Sequence, residues 1–333
     1  MARPLRALAW RDRSLPSTVS AIMDPRASDP AAAVLRAATL ADVPAVTALA
    51  VAENVEEFGA PDFEADDVLH AWRAPGFDLA RDAAVAVDAE GGVLGAAWLQ
   101  IAGDLTGEVL AAPGLRGGGL PAELLGRIEA RAAARGARAL RLWSSAGAAW
   151  RLALLARAGY AVVRSFRRME LVLDGPPPPP AWPAGIVPAL FDPGRDLPAA
   201  HAAFEEAFAG HFGFSPMPLE AWRREMAGVA RFDPSLWLLA RDGAEIAGLA
   251  IAYDQDDLGW VRVLAVRPAW RGRGLGRALL QACFGRFVAR GRARVGLGVD
   301  ADNAHGAVRL YEAAGMRATR TYLCHERAPR ARA

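Results

Sequence analysis

Apolar positions recur at helical spacing over residues 42–53 and again over 197–208, and each stretch predicts a helix with one buried face. A pair of short apolar runs follows each helix. The later pair, 236–241 and 246–252, is separated by Asp242 and Gly243, a dipeptide suited to a tight hairpin. The earlier pair, 83–87 and 93–100, is joined around Gly91 and Gly92. Beyond the later hairpin, the strand 261–266 leads into a loop of glycine and arginine. A helix is then predicted over about 275–290, with Leu275, Leu279, Ala282 and Phe287 at apolar positions. A strand at 293–299 and a helix at 304–314 complete the order. Strands alternating with helices predict a layered α/β domain.

The chain repeats itself. P-G-L-R-G-G-G-L from Pro113 to Leu120 answers P-A-W-R-G-R-G-L from Pro268 to Leu275, an offset of 155 between Arg116 and Arg271. L-L-A-R-A-G-Y, ending at Tyr160, answers L-Y-E-A-A-G-M, ending at Met316, with Gly159 and Gly315 offset by 156. Two matches at nearly one offset predict a tandem duplication. Between the copies stand Gly175 and five prolines, Pro176 to Pro180, a run that favours extended polyproline and serves as a semi-rigid spacer. The expected organisation is a disordered leader (1–32), one domain (33–174), a linker (175–184), a second domain (185–327) and a short tail (328–333).

Composition narrows the function classes. Apolar residues are 53% and charged residues 23% of the 333, enough to bury ordinary cores. The net charge of +2 argues against a broad nucleic-acid footprint, and no apolar run is long enough for a membrane span. All 39 basic residues are arginine, so the chain contains no lysine. Cys283 and Cys324 form no spaced cluster with histidine, so neither a metal site nor a disulfide framework is expected, and a cytoplasmic compartment is. Cys283 falls in a helical pattern and reads as core.

The segment from Val266 to Gly276 carries candidate chemistry. A strand ends, Pro268 turns the chain, and Gly272, Gly274 and Gly276 alternate with Arg271, Arg273 and Leu275 at the start of a helix. Glycines let a ligand approach the backbone, and the first helix amides have no internal partner. With the helix dipole they suit a pyrophosphate. The same turn is compatible with a tight strand-to-helix connection. It is neither a P-loop nor a dinucleotide fingerprint, since no Gly-Lys-Ser/Thr follows and the glycines are evenly spaced.

R-G-R-G-L-G after V-L-A-V-R-P resembles the R/Q-x-x-G-x-G/A motif of the GNAT acyltransferase superfamily. Downstream, Asn303, Ala307, Leu310, Tyr311 and Gly315 resemble that family's N-x-x-A-x-x-L-Y-x-x-x-G-F, with Met316 replacing the usual Phe. The resemblance covers about 140 residues closely and the first copy in degenerate form. It implies two tandem GNAT folds, each a mixed, mostly antiparallel sheet flanked by helices. It also implies an N-acetyltransferase that moves acetyl from acetyl-CoA to a primary amine by direct attack, through a tetrahedral intermediate. Leu264 and Val266 would pair with the pantetheine arm, and the Val266 amide would donate to the oxyanion. Arg271, Gly272, Arg273, Gly274, Leu275 and Gly276 would hold the pyrophosphate. Asn303 would contact the pantetheine, although it reads equally as a helix N-cap. Tyr311 would protonate the leaving thiolate as general acid, against a reading as a packed aromatic.

The general base is less determined. Glu206 is the tentative choice, with Glu205, Asp254, Asp256, Asp257, His201 and His211 as alternatives; His305 reads as a surface residue. In the first copy, Arg116, Gly117 and Gly119 survive. Pro121, Gly147 and Leu155 stand where the second has Gly276, Asn303 and Tyr311. The arrangement resembles tandem acetyltransferases of the mycothiol-synthase type, in which the C-terminal domain does the chemistry; the sequence does not specify that acceptor. A small-molecule amine is the expected partner, on a monomer or homodimer. A protein N-terminal or lysine acetyltransferase and a non-catalytic CoA-binding protein are the competing readings.

Overall fold

The computed structural model of the chain describes residues 33–59, 61, 63–101, 105–255, 258–303 and 306–328. The leader expected over 1–32, residues 329–333 of the tail, Asp256, Asp257 and His305 lie outside them. In chain order the first copy runs β1 (Val34–Ala37), α1 (Val43–Phe58), α2 (Ala65–Trp72), α3 (Leu79–Asp82), β2 (Ala83–Val87), β3 (Val93–Gln100), β4 (Thr106–Ala111), α4 (Leu120–Ala134), β5 (Leu140–Ser145), α5 (Ala149–Arg157) and β6 (Ala161–Val172). The second runs β7 (Ile186–Leu190), α6 (Leu197–Phe208), α7 (Leu219–Ala227), β8 (Trp237–Asp242), β9 (Glu245–Gln255), β10 (Leu258–Val266), α8 (Leu275–Ala289), β11 (Arg294–Asp300), α9 (Ala307–Ala313) and β12 (Arg317–Arg327).

Local chemistry sets the element ends. Asp42 precedes α1 and accepts from the Thr39 amide at 2.8 Å while chelating Arg36. Asp196 does the same work before α6, accepting from the Asp192 amide at 3.0 Å and from Arg195 and Arg241. Each helix then carries proline in its first turn, where the missing N–H costs nothing. The last helix starts at Ala307, not at 304, because Gly306 adopts a left-handed φ of 69° immediately before it.

The described residues fall into two compact units, 33–165 with 321–328, and 166–320. Each has a mixed, mostly antiparallel sheet flanked by helices. In the first the strand order is β1-β2-β3-β4-β5-β12, with β4–β5 parallel and the other neighbours antiparallel. In the second it is β7-β8-β9-β10-β11-β6, with β10–β11 the parallel pair. The copies have therefore exchanged last strands. Residues from Phe166 to Val172 pair with β11, and residues from Tyr322 to Arg327 pair with β5. The compact units divide at 165/166 and 320/321, whereas the sequence boundaries were drawn at 174 and 327. The proline-rich segment belongs to unit 166–320: Leu173 and Trp182 pack on its core, and the Pro177 ring lies 4.0 Å from where a Cβ on Gly285 of α8 would stand.

In that unit both sheet faces are covered. Leu238 and Ala240 of β8 join the core beneath α8 and α9, while Trp237 and Leu239 join the one beneath α6 and α7. This two-sided burial explains why its strands read as continuous apolar runs. Arg262 of β10 is the exception. Its pairing with β9 skips from Val261 to Val263, so Val261 faces α8 while Val263 and Ala265 face α6. An extra residue bends a strand and increases its twist.

Candidate active site

The bend opens a cleft. β10 and β11 are in register only from Leu258–Arg294 to Val261–Leu297, and beyond that point they separate. β9 keeps its hold on β10 as far as Val266, paired with Gly248. The Arg267 amide donates to Ala247 O on β9 at 3.0 Å. Amides alternate edges along a strand, so the Val266 N–H points away from β9, toward the gap. Its carbonyl, on the same edge, accepts from Arg271 Nε at 3.0 Å.

At the tip of β10 the chain turns into α8. Gly272 and Gly274 have φ of 75° and 85°, and nothing lies within 4 Å of where their Cβ atoms would be. Side-chain carbons are thus missing where backbone amides and a helix N-terminus meet, a concavity that suits an anion. Gly276 serves packing instead: a Cβ there would stand 3.2 Å from Leu310 Cδ2 and 3.8 Å from Val266 Cγ2. The first turn of α8, the end of β10 and α9 therefore converge on one point. Arg271 acts as a staple, its Nε on Val266 O and its Nη2 on Ala207 O at 2.8 Å, which ties the loop to β10 and α6. Arg273 and its backbone neighbours are exposed, so Arg273 is the cation the loop presents to solvent.

Tyr311, on α9, is buried within the core beneath α8, and burial pushes its phenol above the ordinary value. Leu264 and Val266 pack against the same core. Asn303 precedes the turn into α9, its carbonyl accepting from the Gly306 amide at 3.3 Å. The candidate bases have other partners. Glu206 is bound to Arg267 Nε at 2.6 Å, in a cluster where Arg267 also holds Glu245 and lies over the Trp270 ring. Glu205 accepts from the Met217 amide at 3.3 Å, and His201 Nε2 lies 2.9 Å from Met217 O, so both fasten the loop after α6. His211 Nδ1 lies 3.1 Å from Phe208 O. Asp254 pairs with Arg292 at 2.6 Å, on β9 near the far end of β10. Arg267 was missed in the sequence; its one signal was its place directly after the strand. Cys283 is buried in α8 with its thiol pushed up to about 12 by burial, which leaves it inert. Among the described residues no group of His, Cys, Asp and Glu has a metal-binding arrangement, and no helix is long and apolar enough to cross a membrane.

The first unit reproduces the frame. Arg116 Nε donates to Ala111 O at 3.0 Å, as Arg271 does to Val266 O 155 positions later, and the Ala112 amide reaches Leu94 O at 2.9 Å, as Arg267 reaches Ala247. Its loop differs. None of Gly117, Gly118 and Gly119 has a positive φ, and Gly119 precedes α4 at a right-handed φ of −76°.

A bulged, splayed strand ending on a Gly-rich turn at a helix start, within this strand order, defines an acyltransferase of the GNAT class. The model of the acetyltransferase (GNAT) family matches residues 197–316, and the chain belongs to that family of enzymes. A mycothiol acetyltransferase from Kineococcus radiotolerans is 38% identical over 296 residues, covering 86% of this chain and 93% of its own. One from Thermobispora bispora is 36% identical, covering 67% and 76%. Among solved structures, a GCN5-related N-acetyltransferase from Sphaerobacter thermophilus aligns with a TM-score of 0.77 at 35% identity, over 91% of this chain and 97% of that one. A tandem GNAT protein from the clavulanic acid biosynthesis pathway shares the fold, with a TM-score of 0.70 at 17% identity over 90% and 99%.

Proposed function

We propose that the protein transfers acetyl from acetyl-CoA to the amine of a small molecule, and that unit 166–320 does the chemistry. The observation that carries this reading is the Val266 N–H on the open edge of β10, beside the Gly272–Gly274 concavity. In this reading the open edge takes the pantetheine arm as an added strand, and the amides from Gly272 to Gly276 hold the pyrophosphate, with Arg273 adding charge. Asn303 contacts the pantetheine. Arg271 positions the loop.

The chemistry follows from charge. An amine nitrogen, having lost its proton, attacks the thioester carbonyl; the carbonyl oxygen becomes an oxyanion and the Val266 N–H donates to it. When the tetrahedral intermediate collapses, the C–S bond breaks and the thiolate takes a proton from Tyr311. A phenol kept protonated by burial suits a donor, and solvent returns its proton. Glu206 is the base in this reading, supported by its bond to Arg267, the residue that follows the oxyanion donor. The two relatives named mycothiol acetyltransferase support a mycothiol-related small molecule as acceptor.

The test is turnover on an acceptor panel, read by product mass because an acceptor with its own thiol obscures a free-thiol assay. Tyr311→Phe should lower kcat by about 10²–10⁴ with acetyl-CoA affinity nearly unchanged. Full kcat in that variant, with chemistry limiting, removes Tyr311 from the acid role. Glu206→Gln should lower kcat similarly, and an unchanged pH profile removes it as base.

A further inference from the structure

We infer that the protein holds a single acetyl-CoA, because the cleft of the first unit is closed by an ion triad centred on Arg151. The inference rests on the reading of unit 166–320 as the acetyl-CoA site. β4 and β5 pair only at Thr106–Arg141 and Gly107–Leu142, so β4 splays as β10 does. Arg151, in the first turn of α5, lies across the gap. Its Nη1 donates to Glu108 Oε1 on β4 at 2.6 Å and reaches Trp143 O on β5 at 3.5 Å. Its Nη2 donates to both oxygens of Glu53 on α1, at 2.9 and 2.8 Å. One guanidinium thus joins both strands that bound the cleft and the helix beside it. It is 4% exposed, and Glu53 7%.

The second unit has no such plug. The Arg116–Arg271 correspondence places Glu108 opposite Val263, and the Gly159–Gly315 correspondence places Arg151 opposite Ala307. The matching N-cap residues Asp42 and Asp196 place Glu53 opposite Ala207. All three members of the ion triad are therefore aliphatic in the second unit. The Trp150 ring fills the first cleft further, with the guanidinium carbons of Arg116 and Arg151 at 5.3 and 5.0 Å from its centre.

A pantetheine arm entering there would have to break a buried charge pair, which lowers affinity by roughly 10²–10³-fold. Its charged groups would meet the carboxylates of Glu53, Glu56 and Glu108 against two guanidiniums. The anion concavity is missing too. Gly117, Gly118 and Gly119 lack positive φ, Pro121 has no amide to offer in the first turn of α4, and Arg116 is bound to Ala111 O and Glu56.

The test is calorimetric titration of the full chain with acetyl-CoA, alongside hydrogen exchange with and without it. The expected result is one site per chain, with protection over 262–280 and none over 106–125. Gly274→Glu, checked for folding by circular dichroism, should weaken that one site and reveal no other. Two sites, protection over 106–125, or binding of undiminished affinity in Gly274→Glu overturns the inference. No binding to the wild type leaves the first cleft closed as inferred and overturns instead the reading of unit 166–320.

Discussion

At the scale of residues, the two copies show one backbone frame serving opposite ends. Arg116 and Arg271 make the same bond to the strand five residues before them, while the positions around the cleft differ, Val263, Ala307 and Ala207 in one copy and Glu108, Arg151 and Glu53 in the other. Burial opposes the charge on Arg151, yet the carboxylates of Glu53 and Glu108 hold its proton more firmly than usual. Arg151→Ala leaves two carboxylates without their counter-ion, and should lower stability to denaturant by about 3–5 kcal/mol. Converting all three residues to those of the second copy, Arg151→Ala with Glu53→Ala and Glu108→Val, should recover most of that loss, because no charge remains buried. A triple variant as unstable as the single one would refute the ion-triad account. Tyr311 carries a pH prediction. Burial raises its pKa above the ordinary value near 10. The acid form therefore persists up to about pH 10, and kcat should show no alkaline decline from this group below that. A decline near pH 9 in the wild type that vanishes in Tyr311→Phe would contradict it.

Elements here depend on charges at their ends. Asp196 precedes α6, the helix whose Ala207 carbonyl receives Arg271, so the cap and the loop staple share one helix. The Arg195 hydrogen bond, the Asp192 amide and Arg241 hold its carboxyl down to about 2, from 3.8. A depressed carboxylate stabilises the fold above its unfolded pKa and loses that contribution as pH falls through the folded one. Stability should therefore decline between about pH 4 and pH 2, and Asp196→Asn should flatten that part of the curve in acid titrations followed by circular dichroism. Persistence of the full decline in Asp196→Asn would assign it to other carboxylates. β10 shows the other element-scale device. The extra residue at Arg262 turns a paired strand into the wall of a cleft, without a break in its pairing to β9 on the far side of the bulge.

For the whole molecule, exchange of last strands makes a cut at the proline run harmful. A fragment of residues 175–333 lacks Phe166–Val172, leaving the edge of β11 bare, and carries 321–327 without β5. It should aggregate or bind no acetyl-CoA. A fragment of residues 161–320 keeps every strand of its sheet and the docked proline segment, and should fold and bind. Equal behaviour of the two, by chromatography and calorimetry, would show that the exchanged strand is dispensable.

The sequence by itself determined the duplication, the order of the central elements, the acetyltransferase family and the Gly-Arg loop, because these rest on local spacing. Hairpin glycines, helical periodicity and a helix start after a strand each lie within a few residues. What escaped it was non-local. β1, β7 and the strands β6 and β12 left little mark, since Val162, Val163 and Val187 sit exposed on them and no apolar run announces an interior strand. Their partners lie more than a hundred residues away for β6 and β12, so no pattern within one copy reveals the exchange. The loop was legible, but its division of labour was not. The same R-G-x-G spelling gives a left-handed turn at Gly272 and Gly274 and none at Gly117 and Gly119. Likewise, nothing local marks Arg151, and the fold brings Glu53 and Glu108 to it from 98 and 43 residues away. Only tertiary structure decides that contact, because an ion pair across a sheet depends on which strands separate, and the local sequence does not encode where they do.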